Sequence, residues 1–191
     1  MKKVRHFLAV LTVAMLTASC GTSSTVPITG RKQNILVSDE QVLSLSNQQY
    51  QEYMKQAKAS QDATSTAMVK RCGERLASAV VSYLQQNGLA AEVSQYKWEF
   101  NLVQDKSVNA FCMPGGKIVV YEGLLPVTKD ESSLAIVLGH EIAHAVAKHS
   151  AERLSNEVRK QYGAQIIGGV LQGAGASANL QNISSAVFGI G

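Results

Sequence analysis

Two histidines four residues apart, with a glutamate after the first, are the residues best suited to chemistry: His140-Glu141-Ile142-Ala143-His144. The run around them reads as helix. On a helix each residue advances about 100°, so His140 and His144 stand about 40° apart and one turn along the axis. Both imidazoles can therefore reach one metal ion. Glu141 falls near the same side, where its carboxylate can hold a water. This spacing is the smallest sequence unit that specifies a zinc hydrolase. Zinc takes neutral imidazole nitrogens in a tetrahedral array, keeps one position for water when catalytic, and lowers that water's pKa toward ~7. A carboxylate at Glu141 takes the proton and later delivers it to the leaving amine. The expected chemistry is peptide-bond hydrolysis without a covalent intermediate. The bland alternative is a solvated helix carrying these residues by chance. Leu134-Ala135-Ile136-Val137-Leu138, directly upstream, argues for a buried helix instead.

A catalytic zinc also needs a third protein ligand. His149 lies nine residues beyond His140, so on an unbroken helix it projects about 180° away. It can join the site only if the helix breaks, and it is read as structural, bonding a nearby backbone group or carboxylate. A metzincin pattern would need a glycine and a histidine where this chain has Ala147 and Ser150. Glu152 and Glu157 are on the wrong bearings. Beyond Glu157 the chain has no Asp, Glu, His or Cys. A third ligand within the chain must come from upstream, such as Glu122 or Asp105, or it is missing.

The elements that must position this helix follow from pattern. Ser38 reads as an N-cap with Gln41 as its capping-box partner, opening a helix to about residue 60 with Val42, Leu45, Gln49 and Tyr53 on one face. A second helix runs from near Thr64 to Asn87-Gly88, a left-handed stop, with Met68, Cys72, Leu76, Ala79, Val80 and Tyr83 as its stripe. Trp98, Phe100 and Leu102 alternate with Glu99 and Asn101, which reads as a half-buried strand. Ile118 to Tyr121 is a second strand, and Pro114-Gly115-Gly116 precedes it as a break. Asp130 opens the long histidine-bearing helix, expected to run to about Arg159.

The chain has 191 residues with 46% apolar content, enough for one domain with a core. Residues 1–19 form a separate leader: Lys2, Lys3 and Arg5, then an apolar run from Phe7 to Ala18, then small residues before Cys20. This reads as a secretory signal whose end resembles a bacterial lipobox, with Cys20 as the lipidated residue. Gly21 in the next position favours an outer-membrane destination facing the periplasm. Residues 20–37 read as a polar tether and residues 38–191 as the catalytic domain. Removing Lys2, Lys3 and Arg5 takes away three of the four net positive charges. No nucleic-acid footprint is left. Cys72 and Cys112 are read as two separate buried thiols, with a disulfide as the alternative. The glycine-rich tail from Gly163 to Gly191 reads as a mobile helix or loop packed on the domain; an anchoring or interaction role through it is a further alternative.

The stretch from His140 to Arg153 resembles the metal helix of peptidase family M48, the HtpX-like and Oma-one-like metalloproteases. Asn109-Ala110-Phe111 followed by Pro114-Gly115-Gly116 is similar to the family's Asn-Ala-Phe…Pro-Gly-Gly element. Gly123-Leu124-Leu125 matches the segment after its strand, and Val26-Pro27-Ile28-Thr29-Gly30-Arg31 resembles the leader of its lipoprotein members. The resemblance spans about residues 26 to 160.

It implies an α+β, zincin-like fold, mainly helical, with a small β-sheet beside the metal helix. It implies one Zn2+ per chain held by His140 and His144, with Glu141 as base. It further implies that the strand region near Asn109 to Tyr121 binds an extended peptide, with Asn109, Ala110, Gly115 and Gly116 in contact; a tight turn without substrate role is the alternative for these residues. The family's third ligand is a glutamate in a Glu-x-x-x-Asp motif on a later helix. The sequence ends before such a motif, so a domain lacking its C-terminal part is expected. The function expected is a zinc metalloendopeptidase of the bacterial cell envelope, acting on misfolded or misassembled envelope proteins. The alternative is a non-catalytic, client-binding lipoprotein with an incomplete metal site.

Overall fold

Ile118, Val119 and Val120 are all fully buried, because their strand is covered on both faces. A strand covered this way reads as a continuous apolar run rather than an alternating one. The structure, a computed structural model, describes residues 22–26, 29–162, 180, 182–184 and 186–188. A hairpin comes first, β1 (Thr22–Thr25) with β2 (Lys32–Ile35). Two helices follow, α1 (Asp39–Gln56) and α2 (Ala63–Gln86), then a short turn of helix α3 (Ala90–Val93). Strands β3 (Glu99–Val103), β4 (Ala110–Met113) and β5 (Lys117–Tyr121) form a sheet of order β3-β5-β4. After a 3-10 turn at Glu122–Leu124 come α4 (Leu125–Thr128), α5 (Glu131–Val146) and α6 (His149–Tyr162). The fold is α+β and zincin-like, as expected.

Strand β5 is central, parallel to β3 and antiparallel to β4. Its two faces support two packing layers. Phe100, Leu102, Ile118 and Val120 pack with residues of α2 and α5. Val103, Phe111, Met113 and Val119 pack on the other face with residues of α1 and α6. β4 is an edge strand and lies against α5. The turn from β4 to β5 needs its glycines: Gly115 and Gly116 have φ of 87° and 82°. A Cβ on Gly116 would also stand 2.6 Å from the Trp98 ring.

Two caps fall where the sequence places them: Ser38 and Gln41 form a capping box at α1, and Asp130 caps α5 by accepting from Ser133 N at 2.7 Å. The cap of α2 is Asp62, just before the start expected near Thr64. Met68, Cys72, Leu76, Val80 and Tyr83 of the expected α2 stripe do pack in the α2–α5 layer, but the most deeply buried line is rotated and runs through Val69, Cys72, Gly73, Ala77 and Leu84. The cause is Gly73, which lets the Phe100 ring lie on the helix backbone; a Cβ there would meet that ring at 2.1 Å.

Two expectations are corrected. The single helix from Asp130 to about Arg159 is two helices, because α5 stops at Val146 and Lys148 turns left-handed at φ 54°. The residues read as a tether include the β1–β2 hairpin. Its second strand and the residue after it are tied to α6, through Leu36 N donating to Ser155 Oγ at 2.9 Å and Arg159 donating to Asn34 O at 2.6 Å. Side chains of α6 thus satisfy backbone groups that a free tether would leave to water.

Cys72 on α2 and Cys112 on β4 are free thiols, in accord with two separate cysteines. The leader, Cys20 and residues 163–179 lie outside the described residues, as do Gly189 and Gly191. Among the described residues no helix is long and apolar enough to cross a membrane. Leu180, Val187 and Phe188 are buried against the α1–α6 layer.

Candidate metal centre

Helix α5 buries Leu134, Leu138, Ile142 and Val146, one residue every four, against the α2 side of the sheet. That fixes the bearing of everything between them. His140 and His144 come out on a neighbouring face with their Nε2 atoms 3.0 Å apart and ring planes at 80°. Two nitrogens on a tetrahedral zinc, each at ~2.0–2.1 Å from the metal, would be about 3.3 Å apart. The pair is within a few tenths of an ångström of that separation. Two imidazole lone pairs facing each other also need a proton or a cation between them. The donor set therefore fits a shared cation.

Glu141 is half-buried. Burial pushes its pKa above the ordinary carboxylate range, and His140 and His144 pull it partly back. Its neighbour across the cleft is Cys112 on β4, whose thiol is pushed up by burial first and by the Glu141 charge second. A cavity opens here, lined by Asn109, Phe111, Cys112, Glu141, His144 and His149 among others. Glu141 thus faces an edge strand across an open cleft.

Of the four residues expected to contact substrate, Asn109 alone lines that cleft. Its carbonyl accepts from Tyr121 N at 3.1 Å. Ala110 opens β4 and packs toward the α2–α5 layer. Gly115 lies in a small pocket beside His144 and Lys148, whereas Gly116 backs onto Trp98.

Among the described residues, no group of three or more His, Cys, Asp or Glu side chains is arranged to hold a metal. Asp105 accepts from Ser107 N at 2.8 Å, and Glu122 starts the 3-10 turn. Neither upstream candidate joins the two histidines.

The break after α5 changes the position of His149. Its Nδ1 stands 2.6 Å from His144 Nδ1, with ring centroids 4.8 Å apart. The expected 180° separation presumed a continuous helix, and the elbow at Ala147-Lys148 removes that premise. The partner of His149 is an imidazole rather than the expected carboxylate or backbone group. Burial, His144 and Arg31 all hold its pKa below the ordinary imidazole value, against the opposing pull of Glu152.

Sequence reading missed what holds the elbow. Lys148 Nζ lies 2.8 Å from Asp39 and 2.9 Å from Glu92. Gln33 donates to Ala147 O at 2.6 Å, occupying a carbonyl at the broken end of the helix. Arg31 makes a two-pronged bond to Glu152 at 2.7 and 2.6 Å. A lysine at a left-handed position carries no local marker, unlike a glycine.

Residues 64–190 match the family model described as "Peptidase family M48". The mitochondrial metalloendopeptidase OMA1 of Schizosaccharomyces pombe is 52% identical over 63 residues, 33% of this chain and 19% of that protein. The mitochondrial metalloendopeptidase OMA1 of Homo sapiens is 34% identical over 127 residues, 66% of this chain and 24% of that protein. The beta-barrel assembly-enhancing protease of Yersinia pestis is 36% identical over 75 residues, 38% of this chain and 15% of that protein. The chain thus spans a quarter or less of the length of these relatives.

These relatives correct the expected location. An outer-membrane protein facing the periplasm was the reading of Cys20 and Gly21, but the OMA1 relatives are mitochondrial and eukaryotic, and the bacterial matches cover shorter stretches than the human one. The physical reason is that a basic, acid-free, apolar N-terminus is common to several kinds of targeting segment. Its composition does not fix a compartment.

Proposed function

The chain belongs to peptidase family M48, and we propose that it is a zinc-dependent endopeptidase acting on protein substrates, misfolded or misassembled ones in particular. The observation that carries this reading is the convergence of His140 and His144 Nε2 at 3.0 Å beside the half-buried Glu141 carboxylate. His140 and His144 would hold the ion, which when bound polarises a carbonyl and lowers the pKa of water.

The remaining work falls to the chain's own groups. Burial makes Glu141 a stronger base than a free carboxylate. It takes a proton from the attacking water and returns it to the leaving amine nitrogen. Edge strand β4 offers unpaired backbone groups to an extended peptide, which adds as a further strand. Asn109, Ala110, Gly115 and Gly116 frame that edge at its two ends. Backbone bonding holds a peptide without reading its side chains, which suits unfolded clients of varied sequence. Acylation at Cys20, as a membrane attachment, belongs to the same proposal; Cys20→Ser should move the chain from the membrane fraction to the soluble one.

A second reading is favoured by the absence of a third ligand among the described residues: a module that binds clients along β4 without cutting them. Casein cleavage by the parent and by Glu141→Gln separates the two. The endopeptidase reading expects a loss of at least ~100-fold in the variant, with casein binding retained. Unchanged cleavage in Glu141→Gln sinks it. Casein binding without cleavage by the parent favours the binding module.

A further inference from the structure

We propose that His149 is a positioning residue for His144, holding the ligand ring from the side opposite the metal position. The inference rests on the zinc reading above and adds a residue to it. His144 turns Nε2 toward His140 Nε2, at 3.0 Å, and Nδ1 toward His149 Nδ1, at 2.6 Å. A neutral imidazole carries one proton. Nε2 must present its lone pair to bind a metal, so the proton of His144 sits on Nδ1. Its acceptor among the described residues is the Nδ1 lone pair of His149, and His149 keeps its own proton on Nε2. The two contacts together select one tautomer and one orientation of the His144 ring.

The chain reaches this arrangement through the elbow. On a continuous helix, residues five apart are turned by about 140° from each other and their rings do not meet. Lys148 at φ 54° restarts the helix in a new direction and brings the His149 ring to 4.8 Å from that of His144. Ligating histidines generally give their second N–H to a carboxylate, a carbonyl or water. An imidazole in that place orients the ring without adding a second negative charge beside Glu141. The Arg31–Glu152 pair and Arg153 line the same cleft as His149.

Two variants of the full chain separate positioning from packing. His149→Phe keeps a ring and removes the acceptor, whereas His149→Asn places a carbonyl oxygen near the Nδ1 position. The first readout is zinc affinity by competition with a chromophoric chelator. The second is the His144 tautomer in the metal-free chain, from long-range 1H–15N correlation. Phe is expected to weaken zinc binding by about 10- to 100-fold and to shift the His144 proton from Nδ1 toward Nε2. Asn is expected to stay within about threefold of the parent and to keep the proton on Nδ1. A packing role alone lowers thermal stability and leaves the tautomer as it was. Parent-like zinc affinity in His149→Phe, or a proton on Nε2 of His144 in the parent, overturns the proposal. A parent that binds no zinc overturns the zinc reading, while the tautomer still decides the role of His149.

Discussion

Lys148 sits at φ 54° with its ammonium 2.8 Å from the Asp39 carboxylate, so the elbow below α5 is pinned to the first turn of α1. The second carboxylate, Glu92, comes from α3 at 2.9 Å. Three segments far apart in sequence thus set where α5 ends and α6 begins. The angle between those helices decides whether His149 meets His144. The ion pairs are therefore part of what sets the geometry of the histidine cluster.

Lys148→Met should destabilise the fold, because it leaves Asp39 and Glu92 without their shared cation and keeps a side chain at positive φ. The side chain of Lys148 is 20% exposed and those of its partners 37% and 28%, so solvent screens part of the effect. A loss of about 1–3 kcal/mol is expected from urea unfolding. Lys148→Gly loses the same pairs but relieves the left-handed strain, and should recover about 1 kcal/mol relative to Met. Equal stability of Lys148→Met and the parent means that the elbow is held by something else.

The shared face of His140 and His144, the place of Glu141 beside them and the capped starts of α1 and α5 were legible because each depends on local spacing. His140 and His144 share a face by helix geometry alone, and Ser38 and Asp130 cap the helices they precede. The elbow was not legible. His144 to Arg153 keeps a helical pattern, and the break is created by Gln33, Asp39 and Glu92, which lie 56 to 114 positions in sequence from the elbow residues they bind. The rotation of α2 was hidden for a similar reason: Gly73 acts through an aromatic ring on a strand that the helix pattern does not contain. The hairpin before α1 was hidden because its polar Gln33 is buried, donating to Ala147 O and to Glu152 rather than to water.

Extended peptides should lose affinity when their backbone donors are removed. If substrate adds to β4, N-methylation of a peptide amide that pairs with the strand removes one hydrogen bond. KM for that peptide is then expected to rise by about two- to tenfold for each bond removed, with kcat changed little. N-methylation at amides pointing away from the strand should leave KM unchanged. A uniform response at every position along the peptide counts against pairing with β4.

Gly73 and Gly139 should respond in opposite directions to alanine. A Cβ at Gly73 meets the Phe100 ring at 2.1 Å, and the ring belongs to a packed layer that cannot retreat freely. Gly73→Ala is expected to cost about 1–3 kcal/mol. Gly139 is also helical, but a Cβ there finds nothing within 4 Å. Gly139→Ala is expected to stabilise by up to about 1 kcal/mol through helix propensity. Thermal melts of the two variants, measured against the parent, check both signs.

Acid should weaken the fold through Glu99. Its carboxylate accepts from buried Lys117 Nζ and from Tyr50 OH at 2.9 Å. The bond from Lys117 is the main cause that lowers its pKa; burial opposes it and Tyr50 lowers it further. The folded chain therefore gives up this proton at lower pH than the unfolded chain, whose glutamate titrates near ~4.3. The stabilisation is complete above that value and drains away as pH falls through the lower, folded pKa. Glu99→Gln removes the titration. Because the Glu99 side chain is 48% exposed, the variant should be less stable than the parent by only about 1 kcal/mol at pH 7. That gap should close as the pH is taken below ~4. Urea midpoints for both chains at a series of pH values test this. A gap that stays constant down to the most acid pH shows that the charge on Glu99 does not stabilise the fold.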